Sequence, residues 1–152
     1  MSAEASAAAL ERFLRERIPL TAALGVRVTL ATRGGVHLWA PLAPNVNHSG
    51  TVFGGSAAAV ATLAAWTLLH RRLTESGLAA RPVIQRSRME YERPIEGDFE
   101  ARCAFGDEAL WERFRRLLAR RGRARITLTA ELWCGLHAVG RLTGEFVAIA
   151  DP

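Results

Sequence analysis

Asn45-Val46-Asn47-His48-Ser49-Gly50-Thr51-Val52-Phe53-Gly54-Gly55-Ser56 leads directly into an Ala- and Leu-rich segment that reaches Glu75. From Ser56 onward the composition predicts one long helix, closed by Gly77. The helix is apolar nearly all round through Leu69, so protein must surround it. The apolar run Ala57–Leu69 falls short of the ~20 residues that a membrane span needs. A buried helix of this kind asks for a sheet that can wrap it, and both flanks supply strands.

Upstream, residues 3–17 predict a helix, with Leu10, Phe13 and Leu14 at i, i+3 and i+4, ended by Pro19. Leu24, Val26, Val28 and Leu30 alternate, Gly34-Gly35 turns the chain, and Val36, Leu38, Ala40 and Leu42 alternate again, which reads as a β-hairpin. Downstream, Pro82 opens a strand in which Val83, Met89, Tyr91 and Ile95 share one parity. Phe99, Ala101, Cys103 and Phe105 make another. Asp107 caps a second amphipathic helix with Leu110, Phe114, Leu117 and Leu118 on one face, and Gly122 ends it. Ile126, Leu128, Ala130, Leu132 and Cys134 alternate, and residues 136–149 form a last strand whose Gly140 and Gly144 suggest bulges or close backbone approaches. Strands that return through short Gly turns mean antiparallel pairing. The class is α+β, with one central helix embraced by six strands. The chain reads as one domain, 1–152, whose Ala-rich residues 1–9 are expected to fray.

Length and balance agree. The 152 residues are 49% hydrophobic and 23% charged, which excludes disorder for the bulk of the chain. The net charge is +5 and every one of the 20 basic residues is Arg. With no Lys, Schiff-base chemistry and a phosphate-loop cation are excluded. Cys103 and Cys134 lie in apolar stretches without a metal-ligand spacing, so no metal site is expected, and two buried thiols suit a reducing cytoplasm. The N-terminus lacks the basic start and apolar core of a signal peptide, and cytoplasmic residence is the expectation.

The candidate chemistry lies in the opening stretch. Gly54-Gly55 at a loop-to-helix junction allow a ligand to approach the backbone closely. The helix start offers unpaired N–H groups and the positive end of a dipole, so Gly55 and Ser56 can hold an oxyanion. Asn45, Asn47 and His48 can orient a carbonyl or a water, and His48 can act as a base near neutral pH. Thr62 is a hydroxyl in an otherwise apolar helix. Val60, Leu63, Trp66 and Phe53 suit pocket walls. Ser56 can also serve as the helix cap, and the asparagines as turn formers. Asp98, Glu90 and Glu92 lie on or beside the third strand, where they read as exposed strand charges that a dimer could bring to the site.

The order of elements and the G-T-V-F-G-G-S string before an apolar helix resemble the hotdog fold of acyl-CoA and acyl-carrier thioesterases. More closely, I-P-L-T (18–21), A-P-L-x-x-N-x-N-H (40–48), G-T-x-F-G-G-S (50–56), A-T-L-A-A-W (61–66) and Y-x-R-P-I-x-G-D-F (91–99) resemble the YiiD C-terminal-domain-like thioesterases, over about residues 10–149. Some members of that group carry an acetyltransferase domain ahead of the hotdog, and this chain would be the hotdog domain alone. The resemblance implies a homodimer, or a tetramer of dimers, with two sheets joined edge to edge. It places the site at the subunit interface, with the thioester carbonyl pointing at the start of the central helix. Coenzyme A would enter only as part of the substrate, with no separate cofactor.

The sequence departs from the pattern of better-known hotdogs in two places. Phe53 stands where a His precedes Gly-Gly, and Thr62 stands where a carboxylate is expected about two turns into the helix. Two readings follow: a thioesterase with a different base, or an acyl-CoA or acyl-carrier binding module without catalysis. Arg113, Arg115, Arg116, Arg120, Arg121, Arg123 and Arg125 form a basic cluster suited to the phosphates of coenzyme A or an acidic carrier, with Arg120 and Arg121 as the leading contacts. Nucleic acid would suit the charge, but no base-reading pattern accompanies it.

Overall fold

Apolar periodicity sets the first element, helix α1 (Ala3–Arg17), in the computed structural model, which describes residues 3–152. Leu14 is fully buried, and Glu11 Oε1 accepts the Val28 amide at 2.9 Å, tying the helix to the first strand. Of the residues expected to fray, 3–9 belong to α1, and 1 and 2 lie outside the described residues.

The next expectation is corrected. Leu24 does not begin a strand but ends a short helix, α2 (Leu20–Leu24), which Gly25 closes at φ 72°. A left-handed residue there favours glycine and outweighs the two-residue alternation of Leu24 and Val26. The hairpin follows as β1 (Arg27–Ala31) and β2 (Gly35–Ala40). Beyond it come the central helix α3 (Gly54–Glu75), β3 (Ala80–Tyr91), β4 (Phe99–Ala104), α4 (Glu108–Arg121), β5 (Arg123–Cys134) and β6 (His137–Ala150).

The six strands form one antiparallel sheet in the order β1-β2-β4-β5-β6-β3. Helix α3 packs against β2, β3, β4, β5 and β6. Its Ala57, Val60, Ala61, Ala64 and Leu68 meet the inward residues Leu38, Ala101, Leu132 and Phe146 in one apolar core. Small alanines along α3 let the sheet curl closely around it. This is the hotdog arrangement.

Three details differ from the sequence reading, each for a local reason. Helix α3 starts at Gly54, not Ser56, because the Phe53 amide donates to Asn45 O at 2.7 Å and holds Phe53 at ψ 130°; Ser56 lies inside the first turn and caps nothing. Strand β3 ends at Tyr91, and a bulge between Ile84 and Arg86 resets its alternation. Val83 and Ile84 are both exposed on this strand at the sheet edge, and Ile95 is buried from the loop beyond. On α4, Trp111, Phe114 and Leu118 face inward while Leu110 faces out, because the Trp111 indole packs on Phe105 and Arg72. Other readings hold: Asp107 accepts the Ala109 amide at 2.8 Å, and Gly122 closes α4 at φ 68°. A Cβ on Gly140 would lie 2.8 Å from Glu90 O, the close approach expected there.

Candidate functional site

The start of α3 has no side-chain cap, so the first-turn N–H groups at Gly54, Gly55 and Ser56 are left for another partner. Two aromatic rings flank them. A side chain on Gly55 would run into the Phe53 ring. A Cβ on Gly54 would lie 3.4 Å from the Tyr91 ring, whose hydroxyl donates to Gly54 O at 3.1 Å. Both rings are more than half exposed, Phe53 at 58% and Tyr91 at 56%. Close approach of the Phe53 ring favours glycine at position 55, while at position 54 a side chain would make only ordinary contact with Tyr91. The result is an open, positively polarised helix end framed by apolar walls.

The neighbouring loop is rigid for reasons written in its asparagines. Asn45 is buried, and its Nδ2 donates to Leu24 O and Pro41 O, both at 2.8 Å. Asn47 Oδ1 accepts the amides of Ser49 and Thr51, and its Nδ2 donates to Thr51 Oγ1 at 2.8 Å. Both side chains are thus engaged in shaping the loop that delivers Phe53. His48 is exposed at the loop tip.

A residue that the sequence argument had only as a strand charge stands closer. Glu92 lines a cleft of about 380 Å³ together with Gly54, Ala57, Tyr91 and Arg93. The other two carboxylates considered are occupied: Glu90 bridges to Arg141 at 3.0 Å, and Asp98 accepts the Leu42 amide at 2.8 Å. Tyr91, the single tyrosine of the chain, was missed. Its signal was there in the 91–99 motif, but only folding brings it 37 positions back to Gly54.

On another face of α3 lies an apolar cleft of about 300 Å³, lined by Leu20, Thr21, Ala59, Leu63, Trp66 and Ile84 among others. Thr62 also lines it. Val60 does not: it is fully buried toward the sheet.

The far end of α3 is built differently. Arg72 is fully buried, its guanidinium 4.5 Å from the Phe105 ring centre and 5.3 Å from that of Trp111. Both terminal nitrogens bond Glu108, at the start of α4. That pairing holds the Glu108 carboxyl below its usual range. Helix rise puts Arg72 about 27 Å from Gly54. Arg113, Arg116 and Arg120 line a surface cleft of about 430 Å³ on α4, and Arg121 is exposed in its last turn. Within one chain, Arg120 and Arg121 are therefore not beside the open helix end.

Cys103 is buried, which pushes its thiol up to about 12, far from a thiolate at neutral pH. Among the described residues, no group of three or more His, Cys, Asp or Glu is placed to hold a metal, and no helix is long and apolar enough to cross a membrane.

Comparison with known proteins agrees with this geometry. The family model described as "Putative thioesterase (yiiD_Cterm)" matches residues 7–150. A protein of unknown function from Chlorobaculum tepidum superposes with a TM-score of 0.91 at 24% identity, covering 99% of this chain and 98% of its own. A Shewanella oneidensis protein described as a putative thioesterase gives 0.82 at 23% identity, over 94% of this chain and 96% of its own. A Pseudomonas aeruginosa protein of unknown function, described as a probable thioesterase, gives 0.81 at 24%, over 95% and 96%. At these identities the solved structures establish the hotdog fold, and the family match over nearly the whole length establishes the rest: the chain belongs to the yiiD C-terminal thioesterase family.

Proposed function

We propose that the protein hydrolyses an acyl thioester whose reacting carbonyl sits at the start of α3. The carrying observation is the uncapped helix end walled by Gly54, Gly55, Phe53 and Tyr91. The N–H groups of Gly55 and Ser56 stabilise the oxyanion as it forms. Glu92, lining the same cleft as Gly54, takes a proton from water. The water oxygen attacks the carbonyl carbon, the C–S bond breaks, and the thiolate leaves with the proton that Glu92 returns. The products are a carboxylic acid and a thiol. Asn45 and Asn47 act by positioning the loop, and His48 and Thr62 are further polar groups near the path.

The working unit in this reading is a homodimer. Strand β3 pairs with β6 on one side and is the sheet edge on the other. Val83, Ile84 and Tyr91 are exposed along it, and such an edge invites pairing. Two-fold pairing of β3 with its own copy is antiparallel. Tyr91, at one end of β3, touches Gly54, while Ala80, at the other end, pairs with Ala150, whose amide bonds Gly122 just beyond α4. Antiparallel pairing thus carries Arg120 and Arg121 of the partner copy across the ~36 Å length of β3 toward the open helix end. There they suit the phosphates of coenzyme A or an acidic carrier. The free thiols Cys103 and Cys134 suit a reducing, cytoplasmic compartment.

A second reading, binding without hydrolysis, is favoured by one observation: α3 carries no Asp or Glu before Glu75. Incubation with an acyl-CoA series and a thiol reagent separates the two. Hydrolysis predicts thiol release that Glu92→Gln slows by about 100-fold. Binding of acyl-CoA with no thiol release above background would sink the enzyme reading.

A further inference from the structure

Gly55, at the open helix end, lies on the same side of α3 as the residues of α3 that line the apolar cleft. Gly55, Ala59, Thr62, Trp66 and His70 succeed one another at three- and four-residue spacing and so share one face of α3. The cleft of about 300 Å³ lies along this face, between α2 and Ile84 of β3. Farther along the same face, a cavity of about 290 Å³ lies between α1 and the last turns of α3. Three stacked rings stand between the two. His70 lies 4.8 Å from Phe13 of α1, at 13° between planes, and 4.9 Å from Trp66, at 6°. The Trp66 indole is pinned in turn, its Nε1 donating to Pro82 O of β3 at 2.9 Å. The partition is therefore held from α1, α3 and β3 together.

We infer that the cleft receives the acyl chain and that the Phe13–His70–Trp66 stack sets the limit on its length, so that the site takes medium-length acyl groups. The inference rests on the thioester reading above, since that reading puts the carbonyl at Gly55. The physical reasons are direction, polarity and size. A chain leaving a carbonyl at Gly55 along this face has ~16 Å of helix before it meets Trp66. The walls it meets are mostly apolar, with Ile18, Leu20, Leu24, Leu63 and Ile84 beside the Trp66 ring. At ~30 Å³ per heavy atom, the share of a water in the liquid, the cleft holds about ten atoms. Without the stack, the two cavities would join and nearly double that space.

The test measures binding of straight-chain fatty acids, the acid product, to the full-length protein by calorimetry, and so needs no turnover. Affinity is expected to rise about fourfold per added methylene (about 0.8 kcal/mol) up to about ten carbons and then stop rising. Phe13→Ala moves that break outward by several carbons. His70→Ala does the same and serves where loss of Phe13 unfolds α1, as melting curves will report. Ala59→Phe fills the cleft and removes the gain beyond the shortest chains. An unchanged break in both stack variants, or affinity independent of length in the wild type, overturns the inference. So does a wild type that binds no fatty acid while Ala59→Phe splits a dimer, since a second copy would then cover the cleft. A normal length profile with no thiol release from acyl-CoA would instead defeat the hydrolysis reading and leave the pocket standing.

Discussion

The two ends of α3 belong to one continuous helix but are finished in opposite ways. At the N-terminal end, nothing caps the backbone, two glycines keep side chains away, and two aromatic rings stand half in solvent. At the C-terminal end, Arg72 is fully buried between Phe105 and Trp111 and doubly bonded to Glu108. The two finishes lie ~30 Å apart on one helix: the first-turn N–H groups are left uncapped, and the guanidinium paired through both terminal nitrogens anchors α4. A buried cation is costly unless paired, so the second end must be assembled completely or not at all.

The largest effect expected at the open end comes from Gly55→Val. A branched side chain there pushes the exposed Phe53 ring aside and obstructs approach to the first-turn N–H groups; it should lower kcat by about 100-fold or more, with a smaller loss of melting temperature than the next variant. Steady-state thiol release and a thermal melt on the same sample decide it; full activity would break the comparison by showing the open end idle. Next is Arg72→Ala, which leaves a void between two rings and frees Glu108. A loss of about 3 kcal/mol is expected, or about 6–12 °C in melting temperature, with the catalytic rate at 25 °C little changed. A large fall in rate with unchanged stability would show the two ends to be coupled.

Asn45→Ala tests the frame of the open end. Removing the amide that bridges Leu24 O and Pro41 O should cost about 2 kcal/mol and lower activity as well, because the loop no longer fixes Phe53. Urea denaturation beside an activity assay reads both.

The smallest effect is the pH dependence. Burial between two rings holds His70 below its ordinary 6.5. Arg71 and Glu75, which line the same cavity as His70, pair with each other at 2.8 Å. The unfolded chain then takes up a proton before the folded one, so stability falls as pH drops below 6.5 and levels off beneath the folded value. Glu108, held below its ordinary 4.5 by Arg72, adds stability that is present above 4.5 and lost on further acidification. Melts between pH 7.5 and 3 should show both, and His70→Gln should shrink the upper one, to which His37, also lowered by burial, contributes, while leaving the lower one in place.

Much of the fold was legible because it rests on periodicity and punctuation. Gly34-Gly35, Asp107 and Gly122 each mark an element boundary through a local requirement, and the alternation of Ile126, Leu128, Ala130 and Leu132 is kept without a break through the centre of β5. What misled was local too, but three-dimensional in cause. The alternation through Leu24 gave way to a helix because Gly25 takes a left-handed turn beside Pro41. The bulge after Ile84 has no sequence signature, since it arises from how β3 must bend along β6.

The site divided in the same manner. Gly54, Gly55 and the following helix start carry their meaning in sequence, because a helix N-terminus and a missing side chain are properties of consecutive residues. So, by itself, the sequence determined the α+β class, the buried central helix and the glycine-rich junction at which that helix begins. Tyr91 over Gly54, Glu92 beside it, His70 between Phe13 and Trp66, and the burial of Arg72 were decided only by the tertiary structure. Each depends on residues from separate elements meeting, and the pairing of strands and helices that brings them together is set by the packing of the whole core.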